Sequence, residues 1–129
     1  MFNKIVVKRA LKRTWGLDNN PRLIANNPAV NQSSVISQMI YDIFGGEILK
    51  TRKKKGWHFY NRINGERVDF LKSEMRKSSE SNSFEDLPCT PDETNIYFSQ
   101  EDYSNFFTRF IRAFEEAVGL NKYRTDLSV

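Results

Sequence analysis

Val35, Ile36, Met39, Ile40, Ile43 and Phe44 fall at i, i+1, i+4, i+5, i+8 and i+9, and Gly45-Gly46 follows at once. This spacing is that of a helix with a wide apolar stripe, and the paired glycines end it. Asn31 or Ser33 is the expected cap at its start. A stripe this broad predicts the central, most buried helix of the fold.

Past the glycines the apolar period changes to two. Glu47–Thr51 and Trp57–Ile63 read as strands joined by a lysine-rich turn, and Asn64-Gly65 as a two-residue hairpin into Glu66–Phe70. Alternation puts Trp57, Phe59, Asn61 and Ile63 on one side of the middle strand, and His58, Tyr60 and Arg62 on the other. The two-residue turn pairs Ile63 with Glu66, Tyr60 with Asp69 and His58 with Leu71, so Asp69 is a same-face diagonal neighbour of His58.

Apolar residues at Phe2, Ile5, Val6, Ala10, Leu11 and Trp15 predict an amphipathic N-terminal helix ended by Gly16. Asn/Pro-rich turns make Leu17 to Val30 an ordered loop. Lys77 to Asp92, with Pro88 and Pro91, reads as a long loop. Ser99 can cap a last helix over Gln100–Val118, whose stripe of Tyr103, Phe106, Phe107, Phe110, Ile111, Phe114 and Val118 is expected to pack on the sheet. Gly119 is the expected stop. The expectation is a single α+β domain over residues 1–120, with an antiparallel sheet of three or more strands packed against the central and C-terminal helices, and a polar tail over 121–129.

The chain has 129 residues with one cysteine, Cys89, and one histidine, His58. These numbers exclude an internal disulfide framework and the usual Cys-rich or multi-histidine metal centres, so no cofactor is expected. No apolar run approaches the ~20 residues of a membrane span, and the start lacks the apolar core of a signal peptide, so the expected location is the cytoplasm.

Charge is laid down unevenly. Residues 1–67 carry net +9 and residues 68–129 net −5, giving +4 for the whole chain. Arg52, Lys53, Lys54 and Lys55 form the densest basic run. It reads either as a solvated hairpin tip or as a surface for an acidic partner.

Three polar residues converge in this scheme: Ser33 on the central helix, His58 on the sheet and Asp69 across the hairpin. An acid that fixes an imidazole tautomer, an imidazole that takes a proton from a nucleophile, and helix N-terminal amides that stabilise an oxyanion are the parts of an acyl-transfer site. Each residue also has a plainer reading. Ser33 can simply cap a helix, His58 can be a half-buried strand histidine, Asp69 can pair with Arg62 or Arg67, and Gln32 can be a first-turn residue. Trp15 and Trp57 read as core, and Cys89 as an incidental thiol.

The segments Asn26-Asn27-Pro28-Ala29-Val30-Asn31-Gln32-Ser33-Ser34-Val35, Phe44-Gly45-Gly46-Glu47-Ile48-Leu49, Gly56-Trp57-His58-Phe59-Tyr60-Asn61-Arg62 and Val68-Asp69-Phe70 resemble the YunG family of small bacterial proteins. That family reads Asn-Pro-Ala-x-Gly-Gln-Cys, then Phe-Gly-Gly-Glu-Ile-Leu, then His-Tyr-x-Asn-Arg, then Asp-Leu-Thr. Its Cys, His and Asp order looks like that of transglutaminase and papain-like cysteine enzymes. The resemblance implies a transglutaminase/papain-like fold, hydrolase or transglutaminase-like chemistry on a peptide or amide substrate, catalytic positions at Ser33, His58 and Asp69, and binding positions at Gln32 and Asn61. The family's cysteine is Ser33 here and its preceding glycine is Asn31. A thiol is readily driven to thiolate and a hydroxyl is not, so the resemblance implies a catalytically degenerate homologue that keeps the cleft. An engineered change and a working serine nucleophile are the other readings of Ser33.

Overall fold

The computed structural model describes residues 2–17, 29–53, 56–71 and 84–127. In chain order the elements are α1 (Lys4–Leu17), α2 (Ala29–Phe44), β1 (Glu47–Lys53), β2 (Gly56–Ile63), β3 (Glu66–Val68), β4 (Leu87–Cys89), the short helix α3 (Pro91–Thr94), a 3-10 turn (Asn95–Tyr97) and α4 (Gln100–Leu127). The architecture is α+β, with an antiparallel sheet ordered β3-β2-β1-β4. Both edge strands are three residues long, and short edges offer little template for pairing with another chain.

Residues 33–40 of α2 are buried without a break. A helix buried on every side must be covered on every side. The sheet covers one flank, chiefly through β2, and α1 and α4 close the other in one core with Val7, Leu11, Met39, Ile40, Phe106 and Phe110. Burying each large apolar side chain of this kind stabilises by about 1.5–3 kcal/mol. Phe2, just ahead of α1, Phe44 of α2 and Phe114 of α4 meet edge to face, at centroid separations of 5.1 and 5.6 Å.

Local chemistry explains the helix starts. Asn3 Oδ1 accepts from the N–H groups of Ile5 and Val6 at 3.1 Å each, capping α1. Ser99 Oγ accepts from Asp102 N–H at 3.0 Å and caps α4. Ala113 and Ala117 lie on the buried face of α4, and their small side chains let α1 pack closely; Arg13 and Glu116 pair across the rim at 2.8 Å. The aromatic helix therefore packs chiefly against α1, where the sequence suggested the sheet.

Several boundaries differ from expectation. The central helix begins at Ala29, so Asn31 and Ser33 lie inside it and neither is its cap. Gly16 and Gly119 both take helical backbone: α1 continues to Leu17 and α4 to Leu127, so the segment from Asn121 expected as a tail begins as helix. Part of the expected 77–92 loop is strand β4, which pairs with β1 from Ile48↔Cys89 to Lys50↔Leu87. β3 stops at Val68, two residues short of the expected strand. Of the loop expected over Leu17–Val30, Leu17 ends α1 and Ala29 and Val30 open α2; its residues 18–28, the loop portion 77–83 and the side chain of Trp15 lie outside what is described.

The hairpins follow the turn chemistry. Asn64 and Gly65 take φ of 52° and 80°, the left-handed pair that a two-residue hairpin needs, and Ile63 pairs with Glu66. Gly46 has φ of 81°, and a Cβ there would lie 2.4 Å from the Arg62 carbonyl oxygen. Gly45 shares the conformation, at φ of 80°, with open space around it. Replacing Gly45 by Ala is expected to cost about 1–2 kcal/mol of left-handed strain alone. Gly46→Ala is expected to add at least about 1–3 kcal/mol of overpacking to that. Urea midpoints of the two variants check the order, and equal losses would contradict the close approach.

Candidate functional site

The site grows out of the place where β3 gives up its pairing. Asn61↔Val68 is the last pair of the β2–β3 ladder, and ladder amides on one side of a strand recur every second residue. The next amide facing that side is Phe59 N–H, and no β3 residue pairs there. It donates to Ser33 Oγ at 3.1 Å. The serine hydroxyl thus replaces a missing strand partner, at a residue only 1% exposed. One turn on, Asn61 Nδ2 donates to the Ser37 carbonyl at 3.0 Å, and Ser37 Oγ donates back to the Ser33 carbonyl at 2.8 Å. Ser33 and Asn61 therefore fasten α2 to β2.

His58 points from the opposite face of β2. Its Nε2 lies 2.8 Å from Asp69 Oδ2, and the two side chains are 9% and 4% exposed. Asp69 Oδ1 accepts from Leu71 N–H at 3.0 Å, so both carboxylate oxygens are engaged and the carboxylate is aimed. A carboxylate at Nε2 favours the tautomer with its proton there, which leaves Nδ1 as the basic nitrogen. Among the described residues no hydrogen bond reaches Nδ1. Asp69 lies beyond the end of β3, as the diagonal neighbour that the hairpin register anticipates.

Ser33 and Asp69 border one hollow, together with Ser37, Asn61, Phe59 and Leu71. Its volume is about 10 Å³, the room of one water-sized group. Gln32 is half-buried one residue before Ser33. Because α2 starts at Ala29, its free N-terminal amides belong to residues 29–32, and Ser33 N–H lies within the helical ladder. Oxyanion-binding amides at Ser33 itself, expected from a helix starting there, are absent.

Residues 84–86 form a strap over the His58 face of the sheet, which the sequence reading missed. Tyr60 OH donates to Asp86 Oδ1 at 2.8 Å and accepts from Asp86 N–H at 2.8 Å. Arg67 grips the same carboxylate through Nε, at 3.0 Å, and Nη2. The Arg67 guanidinium lies 4.4 Å from the Phe84 ring centre, and Phe84 meets the Tyr60 ring edge-on at 4.9 Å. Glu85 N–H donates to Thr51 Oγ1 at 3.0 Å, while Glu85 Oε1 accepts Arg52 N–H at 2.7 Å. Arg67 holds the Asp86 carboxyl below its usual range, and burial, then Asp86, pushes the Tyr60 hydroxyl up. The sequence offered one signal for the strap: Phe84 and Leu87 flanking two acids, against a basic sheet surface.

The basic run divides. Arg52 and Lys53 end β1, and Lys54 and Lys55 lie outside the described residues. Lys50 Nζ and Arg52 Cζ sit 4.5 and 4.9 Å from the Trp57 ring centre, so half-buried Trp57 serves as a platform for cations. Lys50 also pairs with Glu93. Cys89 is half-buried beside that pair, and burial, then Glu93, pushes its thiol up to about 12. Among the described residues no group of three or more His, Cys, Asp or Glu side chains is placed to hold a metal ion, and no helix is long and apolar enough to cross a membrane.

The family model described as YunG protein matches residues 3–115. The uncharacterised protein YunG of Bacillus subtilis (strain 168) is 32% identical over 106 residues, which cover 82% of this chain and 90% of that protein. No solved structure matches the chain.

Two outcomes follow from this geometry. Ser33→Ala leaves Phe59 N–H buried without an acceptor, and is expected to destabilise by about 1–3 kcal/mol in urea unfolding. A neutral result would contradict the capping role. Cys89, with its thiol held protonated, is expected to alkylate with iodoacetamide at pH 8 far more slowly than an exposed cysteine. Reaction at the rate of free cysteine would contradict its placement.

Proposed function

The chain belongs to the YunG family, and from that premise and the site geometry we propose that it is a catalytically degenerate relative of cysteine acyl-transfer enzymes of peptide or amide ligands, with Ser33 at the nucleophile position, Asp69 beside it on the shared hollow, and His58 held by Asp69 outside that hollow's lining. The observation that carries the reading is a contrast within the site. The acid–base half is assembled: Asp69 holds Nε2 and leaves the basic Nδ1 of His58 available. The nucleophile half is occupied, because Ser33 Oγ is buried and accepts the Phe59 amide.

The chemistry agrees with that contrast. In an active member, the histidine would draw a proton from a thiol, and the resulting thiolate would attack an amide carbonyl carbon to give an acyl-enzyme and a free amine. A hydroxyl starts far from its anion, and here one of its lone pairs already serves a backbone N–H. Each 1.36 kcal/mol added to the barrier costs tenfold in rate, so losing that acceptor bond on the way to attack is itself a severe handicap. The hollow beside Ser33 and Asp69 accommodates a group the size of a carbonyl oxygen or amide nitrogen, so the ligand is read as presenting its backbone there rather than a side chain. Asn61 flanks that position and already anchors α2, and Gln32 precedes Ser33 on the same helix.

A second reading makes the chain an interaction protein whose basic hairpin engages an acidic partner. The exposed Arg52 beside Trp57 favours it. Binding through the hairpin would fall steeply with added salt, whereas binding in the cleft would be insensitive to salt and lost in His58→Ala.

The decisive experiment restores the thiol. Ser33→Cys, in a Cys89→Ser background, is titrated with iodoacetamide across pH and the alkylated residue is located by mass spectrometry. The expected result is alkylation at position 33 with an apparent pKa well below the ~8.5 of free cysteine, the shift disappearing when His58→Ala is added. Reaction as a free thiol, or a shift that survives the loss of His58, would overturn the reading.

A further inference from the structure

We propose that Tyr60 is a positioning residue for His58, and that the strap over residues 84–86 controls the imidazole through it. The Tyr60 ring lies 6.0 Å from the His58 ring at an interplanar angle of 22°, two residues along the same face of β2. On that face Thr51 is the cross-strand partner of His58, and Thr51 is itself tied to Glu85 of the strap. The imidazole therefore has Tyr60 on one side, Thr51 across the strand and Asp69 at its Nε2.

What holds Tyr60 is not its own strand. Its hydroxyl both donates to and accepts from Asp86, and Phe84 closes on the edge of its ring. Asp86 adopts φ of 53°, a left-handed conformation that aspartate visits more readily than most residues and that turns its carboxylate and N–H toward the Tyr60 hydroxyl. Arg67 fixes the Asp86 carboxylate, gripping it from β3 and stacking over Phe84, with Arg62 contributing a longer contact at 3.9 Å. Arg67 is thus the outermost member of a chain that runs through Asp86 and Tyr60 to the imidazole plane.

The consequence is a coupling between an exposed ion pair and a buried ring. With the strap seated, the ring of Tyr60 restricts the imidazole and excludes water from the Nε2–H to Asp69 bond. With the strap released, Tyr60 can turn away and the bond becomes accessible. The inference rests on His58 being the base of the proposed site. Its readout, however, is a property of the imidazole alone, so a failure of the thiol experiment and a failure of this one are separable.

The chain has a single histidine, so its ring nitrogens give unambiguous NMR signals in the full-length protein. The test measures the tautomer and the solvent-exchange rate of the His58 ring N–H in the unaltered chain, in Tyr60→Phe and in Arg67→Leu. The Tyr60→Phe change keeps the ring and removes both hydroxyl contacts. The Arg67→Leu change acts at a side chain 43% exposed, and carries the test should the first variant fail to fold. The expected result is a proton held on Nε2 toward Asp69 in the unaltered chain, with exchange at least tenfold faster in both variants. The side-chain amide of Asn61, bonded to Ser37 on the other face, should keep its rate and so report on general loosening. Unchanged His58 exchange in a folded variant, or equal acceleration at Asn61, would overturn the proposal.

Discussion

A helix with eight consecutive buried residues leaves Ser33, Ser34, Ser37 and Gln38 no side that faces water, and the rest of the structure is arranged around answering those polar groups. Ser33 takes an amide from β2, Ser37 returns its hydroxyl proton to the helix backbone, and the Ser37 carbonyl takes an amide from Asn61. Gln38 reaches Asp42 at 2.9 Å and accepts from Thr94, while Asp42 also accepts the Tyr103 hydroxyl. Two of these bonds stay within α2; the others join it to the sheet through Phe59 and Asn61, to the short helix α3 through Thr94 and to the long helix α4 through Tyr103. The price of leaving any one unmade is a desolvated polar group, which fixes the layers more sharply than apolar contact alone.

The candidate site is a by-product of the same constraint. β3 ends early because its chain turns at Asp69, and this turn does two things at once. It places a carboxylate beside His58, and it exposes the Phe59 amide that Ser33 then satisfies. The acid–base pair and the buried serine thus share one structural origin on opposite faces of β2. Burial of Tyr103 against Asp42 and of Tyr60 against Asp86 raises both hydroxyls above their ordinary value, so both stay protonated as donors throughout the neutral range.

Much of this was legible from local patterns. The switch of period at Gly45-Gly46 located α2 and β1, and Asn64-Gly65 set the hairpin register that brings Asp69 diagonal to His58. Parity separated His58 from Asn61 correctly because strand alternation survives whatever packs on it. Other features depended on distant chain. Leu87-Pro88-Cys89 has no alternation and contains a proline, so nothing local marks it as an edge strand; only pairing to β1 makes it one. Gly119 looked like a stop, yet a glycine ends a helix only when its left-handed freedom is used, and here it remains helical in open space. The role of Ser33 was hidden most deeply, since it depends on where β3 stops and therefore on the turn at residues 69–71.

Native-state hydrogen exchange at the Phe59 amide tests the central claim, that the Ser33 hydroxyl serves the backbone of β2 where β3 has given up its pairing. The account predicts protection of Phe59 N–H comparable to that of the ladder amide of Asn61. In Ser33→Ala that protection should fall at Phe59 and persist at Asn61. A Phe59 amide that exchanges freely in the unaltered chain, or that stays protected when the hydroxyl is gone, would contradict it.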